Sequence, residues 1–356
     1  MWHKTKLTKI LKIKYPILQG PLGAGFSTVD LLTSVSDAGG LGSFGAYTLT
    51  PQEILEAGNK INAATDKPYN INLWVSDVDE RLKNYSPESL ARITTIFKPY
   101  FDQLNIPIPD LNIDIPSKFE QQVEVLFQIK PAIFSFAFGV PSEDILNECR
   151  RLGIKTVGSA TTLDEALFLE SHKVDAIVAA GFEAGGHRPS FLKPAEDSLT
   201  GTFALVQQLK AKIKTPIIAA GGIVDAKGVA AALTLGADAV QLGTAFLACD
   251  ESGATPEHKK ALFSEASQYT LLSKSLTGRM GRMMTNRIAE EIKFETEVLP
   301  FPLQTRLIAA LKTAAFAQGK TELINFWSGQ NAINLKHTNA KELMLSLINK
   351  TNKILK

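Results

Sequence analysis

Eight short apolar, β-branched runs punctuate the first two-thirds of the chain, at residues 17–19, 41–44, 69–73, 133–136, 155–159, 176–179, 216–219 and 239–242. Several are apolar throughout, as strands of a parallel sheet buried on both faces should be. Helix-start signals lie between them. Ser27-Thr28, Thr50-Pro51-Gln52-Glu53 and Thr162-Leu163-Asp164-Glu165 each offer a side-chain oxygen to the unpaired amides of a first turn. Eight strand–helix repeats in ~250 residues predict an α/β chain folded as a (β/α)8 TIM barrel. A doubly wound open sheet would gather its ligand signals at one switch point. Here glycines follow many strand ends.

The third repeat is overlong. Residues 76–130 read as an inserted helical segment of roughly two helices around Ile106-Pro107-Ile108-Pro109, expected over the barrel mouth where βα loops go. After Leu247 the strand pattern stops, and residues 256–273 and 305–318 read as helices on either side of a turn at Leu299-Pro300-Phe301-Pro302. The expected organisation is a barrel over residues 1–250 with its insertion at about 76–130, and a C-terminal helical cap over residues 251–356.

Composition removes several function classes. Lysine and arginine number 38 against 36 acidic residues, a net charge of +2, so the basic surplus of a nucleic-acid binder is missing. Lys341, Lys350, Lys353 and Lys356 fit the solvated face of a last helix. Cys149 and Cys249 read as buried thiols and cannot form a disulfide framework. No run approaches the ~20 apolar residues of a membrane span. The basic start, residues 1–14, lacks the apolar core of a secretory signal. A cytoplasmic protein with no membrane partner is expected.

Binding groups of a barrel gather at the C-terminal ends of its strands. Strand one ends in Gln19-Gly20-Pro21-Leu22-Gly23, whose glycines allow close backbone approach to a flat ring. Asn70 and Asn72 share one face of the third strand, and an inward amide needs partners because leaving it unpaired costs ~1–3 kcal/mol. The last two strands end in Gly221-Gly222 and Gly243-Thr244, at the positions where barrels commonly hold phosphate with bare amides. Neither Gly-x-Gly-x-x-Gly after the first strand nor a P-loop is present, so a mononucleotide such as FMN fits better than a dinucleotide. The sixth strand empties into Gly181-Phe182-Glu183-Ala184-Gly185-Gly186-His187-Arg188. His187 is the candidate proton-handling residue, since an imidazole titrates near neutrality. Glu183 reads as an ordinary surface acid, and the remaining histidines lack a comparable setting. No Cys, His and carboxylate cluster has metal-ligand spacing.

These segments resemble the nitronate monooxygenase family (formerly 2-nitropropane dioxygenase). The resemblance rests on Gln19-Gly20-Pro21, Asn72-Leu73, Ser135-Phe136-Ala137-Phe138-Gly139, Ser159-Ala160-Thr161-Thr162, the Glu183-to-Arg188 loop, Ala219-Ala220-Gly221-Gly222-Ile223 and Gln241-Leu242-Gly243-Thr244. Thr277-Gly278-Arg279 with Asn286, Pro300-Phe301-Pro302-Leu303-Gln304 and Trp327-Ser328-Gly329-Gln330 are similar to its bacterial class I type. The resemblance implies an FMN enzyme that oxidises nitronates such as propionate 3-nitronate with O2, giving a carbonyl compound and nitrite. It places FMN against Gln19, Gly20, Pro21, Leu22, Asn72, Ser159, Ala180, Gly185, Gly186, Gly221, Gly222, Gln241, Leu242, Gly243 and Thr244, with His187 as the active-site histidine. Two departures stand out. Ala180 replaces a common glutamine and Ala137 a common histidine, which implies a roomier or less polar pocket. Two alternatives stay open: an NAD(P)H-dependent flavin oxidoreductase of quinone-reductase or enoyl-acyl-carrier-protein-reductase type, and a non-catalytic flavin-binding module. A homodimer is compatible with this reading.

Overall fold

The structure is a computed structural model that describes residues 1–83, 85–293 and 298–356. Eight parallel strands occur where the apolar runs predict them: β1 (Ile17–Gln19), β2 (Gly42–Gly45), β3 (Tyr69–Trp74), β4 (Ile133–Ala137), β5 (Lys155–Ala160), β6 (Ala176–Ala180), β8 (Ile217–Ala220) and β9 (Ala239–Leu242). β7 is the two-residue strand Gly186–His187, outside the barrel sheet. The sheet runs β1-β9-β8-β6-β5-β4-β3-β2. A parallel bridge between Leu18 and Leu41 joins its ends, with the Gln19 N–H 2.9 Å from the Leu41 carbonyl. The edge groups that an open sheet would expose are thereby paired, and the (β/α)8 barrel closes.

Period two sorts the strand residues. Ile71, Phe134, Phe136, Ile177, Ile217 and Val240 join the large core between sheet and helices, while Leu18, Ile133, Val157, Ala176, Val178 and Ile218 form a separate core inside the barrel. Leu7 and Leu11 of the helix Lys6–Leu11, with Ile13, belong to the interior core and close its floor. The helix caps form as their sequences suggest. Thr28 accepts from the Leu31 N–H, and Thr50 closes a capping box with Glu53. Thr162 caps its helix, but Glu165 turns its carboxylate to the Thr161 and Phe191 amides and so ties two loops together.

Two expectations are corrected. The insertion contributes one extra helix, Pro87–Leu104. Phe119–Ile129 packs on the barrel beside Pro51–Ala64 instead. The strand pattern also does not stop at Leu247. β10 (Thr270–Ser273) and β11 (Gly281–Met284) pair antiparallel, and β11 continues onto β7, where Gly281 faces His187. Residues 256–273 are therefore a helix Pro256–Leu262, a 3-10 turn Glu265–Gln268 and a strand. Local apolarity could not separate strand from helix there, because the pairing partner lies about a hundred residues away.

The C-terminal third does two jobs. Ile93, Phe97 and Phe101 of the inserted helix share a second core with Leu303, Leu307 and Leu311 of the helix Leu303–Ala317. This body sits at the strand C-terminal ends, where Val78 and Ile115 meet Ile308 and Ala309 around one cavity. The last helix, Ala340–Ile354, instead returns to the barrel. It packs between Val29–Asp37 and Ala226–Thr234, and Leu343, Met344 and Leu347 enter the main core. It fills the place of the barrel's eighth helix. Both cysteines are buried and unpaired, as expected.

Candidate functional site

A cavity of about 580 Å³ opens at the C-terminal ends of the strands, within the range of small-molecule sites. Its floor follows from the side chains that end the inward rows. Asn72, Ala137, Ser159, Ala180, Ala220 and Gln241 come from six strands and are small or amide-bearing. Barrel layers are ordinarily filled by bulky branched side chains. Here the top layer is left hollow.

All but two of the predicted site residues line this cavity: Gly20, Pro21, Leu22, Asn72, Ser159, Ala180, Gly185, Gly186, His187, Gly221, Gly222, Gln241, Gly243 and Thr244. Gln19 and Leu242 do not. Gln19 is fully buried, donates to the Gly20 carbonyl at 2.7 Å and accepts from the Ser43 N–H at 2.8 Å. Leu242 faces the helix layer. Both have the outward parity of their strands, a signal that period two already carried.

The loops are shaped to leave backbone exposed. Gly243 has nothing within 4 Å of where a Cβ would stand, although it lines the cavity. Gly221 and Gly222 have φ of 123° and 69°, conformations that favour glycine and turn the chain sharply off β8. The Gly222 N–H makes no hydrogen bond among the described residues. Asn72 donates to Ser135 Oγ at 2.9 Å, which leaves its carbonyl oxygen for the cavity, and the Gln241 amide lines the wall. Bare amides at one end and amide side chains across a hollow floor fit a group with an anionic tail and a flat, hydrogen-bonding ring.

Sequence reasoning missed a further wall of this site. Residues Trp327 to Asn331 fold against the glycine loops. The Gly329 N–H donates to Thr244 Oγ1 at 2.9 Å, and Asn331 Nδ2 donates to the Gly222 carbonyl at 2.8 Å. A Cβ on Gly185 would stand 2.6 Å from the Gly329 nitrogen, so only glycine permits this contact. Glu183 is no ordinary surface acid. Its carboxylate accepts from the Thr202 N–H and hydroxyl, fixing the loop to the start of the helix Thr202–Lys212. Arg188, 2% exposed, donates to the Ala180 and Ser198 carbonyls and clamps the loop from beneath.

His187 stands inside an aromatic cage. Its ring centroid lies 5.2 Å from Trp74, 4.9 Å from Trp327 and 6.0 Å from Phe301. Trp74 stacks on Tyr47 at 3.5 Å and shares an apolar cluster with Ala137, Phe138 and Phe301. The Ala137 departure thus makes the pocket less polar, and Trp74 occupies the neighbouring room. The Arg279 guanidinium lies 4.5 Å from Phe138 and 4.6 Å from Phe301. Burial, aided by the Arg279 charge, pulls the His187 pKa down to about 3, so the imidazole is neutral at ordinary pH. A second histidine is also misplaced by sequence. His258 is buried against Phe26 and Phe326, donates to the Trp327 carbonyl at 2.9 Å and is pulled down by burial to about 4. Lys312 reaches the cavity from the helix above. No carboxylate approaches it among the described residues, and burial lowers its pKa.

The sequence profile of the nitronate monooxygenase family matches residues 4–350. The chain belongs to the nitronate monooxygenase family. A probable nitronate monooxygenase of Staphylococcus aureus (strain Newman) is 35% identical over 357 residues, covering 100% of this chain and 99% of that protein. Nitroalkane oxidase from Streptomyces ansochromogenes superposes with a TM-score of 0.89 at 30% identity, over 98% of both chains. FabK from Thermotoga maritima superposes with a TM-score of 0.75 at 26% identity, covering 99% of this chain and 97% of that one. The nitronate monooxygenase family is one of flavin-dependent oxidoreductases, and its solved neighbours are enzymes. No described helix is long and apolar enough to cross a membrane.

Proposed function

We propose that this nitronate monooxygenase family member oxidises alkyl nitronates, propionate 3-nitronate among them, with O2 to a carbonyl compound and nitrite, using FMN. One observation carries the reading: a neutral histidine and an unpaired lysine face the same hollow barrel mouth as the glycine loops. FMN would be held by the amides near Gly222 and Gly243, with Asn72, Ser159 and Gln241 along its ring. When bound, it supplies the electron acceptor that passes electrons on to O2.

The chain's own groups then bind and orient. A nitronate is already a carbanion with its charge spread over two oxygens, so no base is needed to form it. Lys312 offers a cation to a substrate carboxylate, and the rings around His187 exclude water from the reacting carbon. A neutral nitroalkane would in addition have to lose its α-proton, and neutral His187 can accept it. The purified protein is expected to show a bound-flavin visible spectrum that bleaches anaerobically with propionate 3-nitronate and, in air, to release nitrite with O2 uptake. His187→Asn should retain flavin and lower turnover by roughly 10²-fold or more. Full turnover of both nitronate and nitroalkane by that variant would remove the histidine from the chemistry.

The likeness to FabK gives a second reading, a flavin oxidoreductase driven by NAD(P)H. Prompt anaerobic bleaching by NADH and none by the nitronate would decide for it.

A further inference from the structure

His187 makes one hydrogen bond among the described residues, from Nε2 to Thr277 Oγ1 at 2.9 Å. The same hydroxyl lies 2.9 Å from the Arg279 carbonyl oxygen. A carbonyl can only accept, so the single hydroxyl proton is directed at Arg279 and only lone pairs remain for the ring. The Arg279 N–H, 3.4 Å away, also points at this oxygen. Nε2 must therefore be the donor. We propose that Thr277 is a positioning residue that holds His187 as its neutral Nε2–H tautomer, so that the basic atom of the ring is Nδ1. For a nitroalkane, the Cα–H bond would break toward Nδ1. The proton leaves an imidazolium, and the electron pair stays on the substrate as the nitronate.

The surrounding chain keeps this geometry in place. β7 pairs with β11, and the Arg188 N–H donates to the Met280 carbonyl at 2.9 Å, which fixes the backbone on either side of the ring. Gly278, with φ of 85°, turns Thr277 back toward that strand pair. Thr305 Oγ1 donates to the Thr277 carbonyl at 3.3 Å and anchors the turn on the helix above the cavity. A threonine that only filled space would be replaced by valine without consequence for the ring's protons.

The substrate half of this inference rests on the proposed nitronate chemistry; the tautomer does not. The test uses the protein as purified, labelled with 15N-histidine, with His187→Asn assigning the signal among five histidines. Long-range proton–nitrogen spectra should show a pyrrole-type Nε2 and a pyridine-type Nδ1 in the native chain. Thr277→Val should mix or invert that pattern and lower the ratio of nitroalkane to nitronate turnover about tenfold or more. Thr277→Ser, which keeps the hydroxyl, should restore both. A native Nδ1–H tautomer would overturn the proposal, as would a valine variant with the native spectrum and ratio. If neither substrate turns over, the functional reading fails, and the native and serine spectra still decide the role of Thr277.

Discussion

Lys312 lies in the cavity wall with no carboxylate beside it, so its charge is available to a ligand. A hydrogen bond to a charged group is worth about 1.5–3 kcal/mol, or roughly ten- to a hundredfold in affinity. Lys312→Met should raise KM for propionate 3-nitronate by about that factor and leave a nitronate with an uncharged tail nearly unaffected. Equal losses on both substrates would show that the lysine only supports packing. The sequence gives no local hint of this residue, which enters from a helix more than 200 positions past β3. Trp74 is different. It stands two residues beyond Asn72 on the same strand face, and period two alone places it in the wall. The same rule places Gln19 and Leu242 outside, although glycine-rich surroundings made them look like contacts.

The last helix, Ala340–Ile354, shows how an element's role escapes its own pattern. Its apolar stripe of Leu343, Met344 and Leu347 fits any buried surface, and its exposed lysines fit any solvated one. What fixes its place is the closing of the chain on itself. Asn339 caps the helix and donates to Glu251, and the Ala340 N–H donates to Glu251 as well. The residues between 251 and 339 thus leave and re-enter the eighth unit at one point. Leu347→Ala should cost about 2–5 kcal/mol of global stability by denaturant titration, as a core truncation does. A loss within ~0.5 kcal/mol would mean that the helix is a peripheral cap.

Two buried neutral histidines make the stability of the whole fold depend on pH. His187 titrates near 3 and His258 near 4 in the folded chain, against ~6.5 when unfolded. The unfolded chain therefore binds more protons as pH falls below 6.5, and the folded state loses stability in that direction. Each histidine contributes a slope of up to about 1.4 kcal/mol per pH unit. Between pH 7.5 and 5.5 the denaturation midpoint should fall, and less steeply in His258→Asn than in the native chain. Midpoints that coincide over this range would contradict the burial of both rings. His258 also ties the helix Pro256–Leu262 to Trp327, and Trp327 to His187, so packing far from the barrel reaches the site.

The amino-acid order by itself determined the eight barrel strands, the caps at Thr28 and Thr50, and the glycine-lined strand ends, because each depends on residues within a few positions of one another. The tertiary structure decided the β7–β11 pairing, the eighth helix, the wall from Trp327 to Asn331 and the proton position on His187. Those depend on groups as much as 90 or more residues apart meeting at fixed distance and angle. Local periodicity carries no information about which distant backbone or hydroxyl will arrive, and a hydrogen bond exists only once it does.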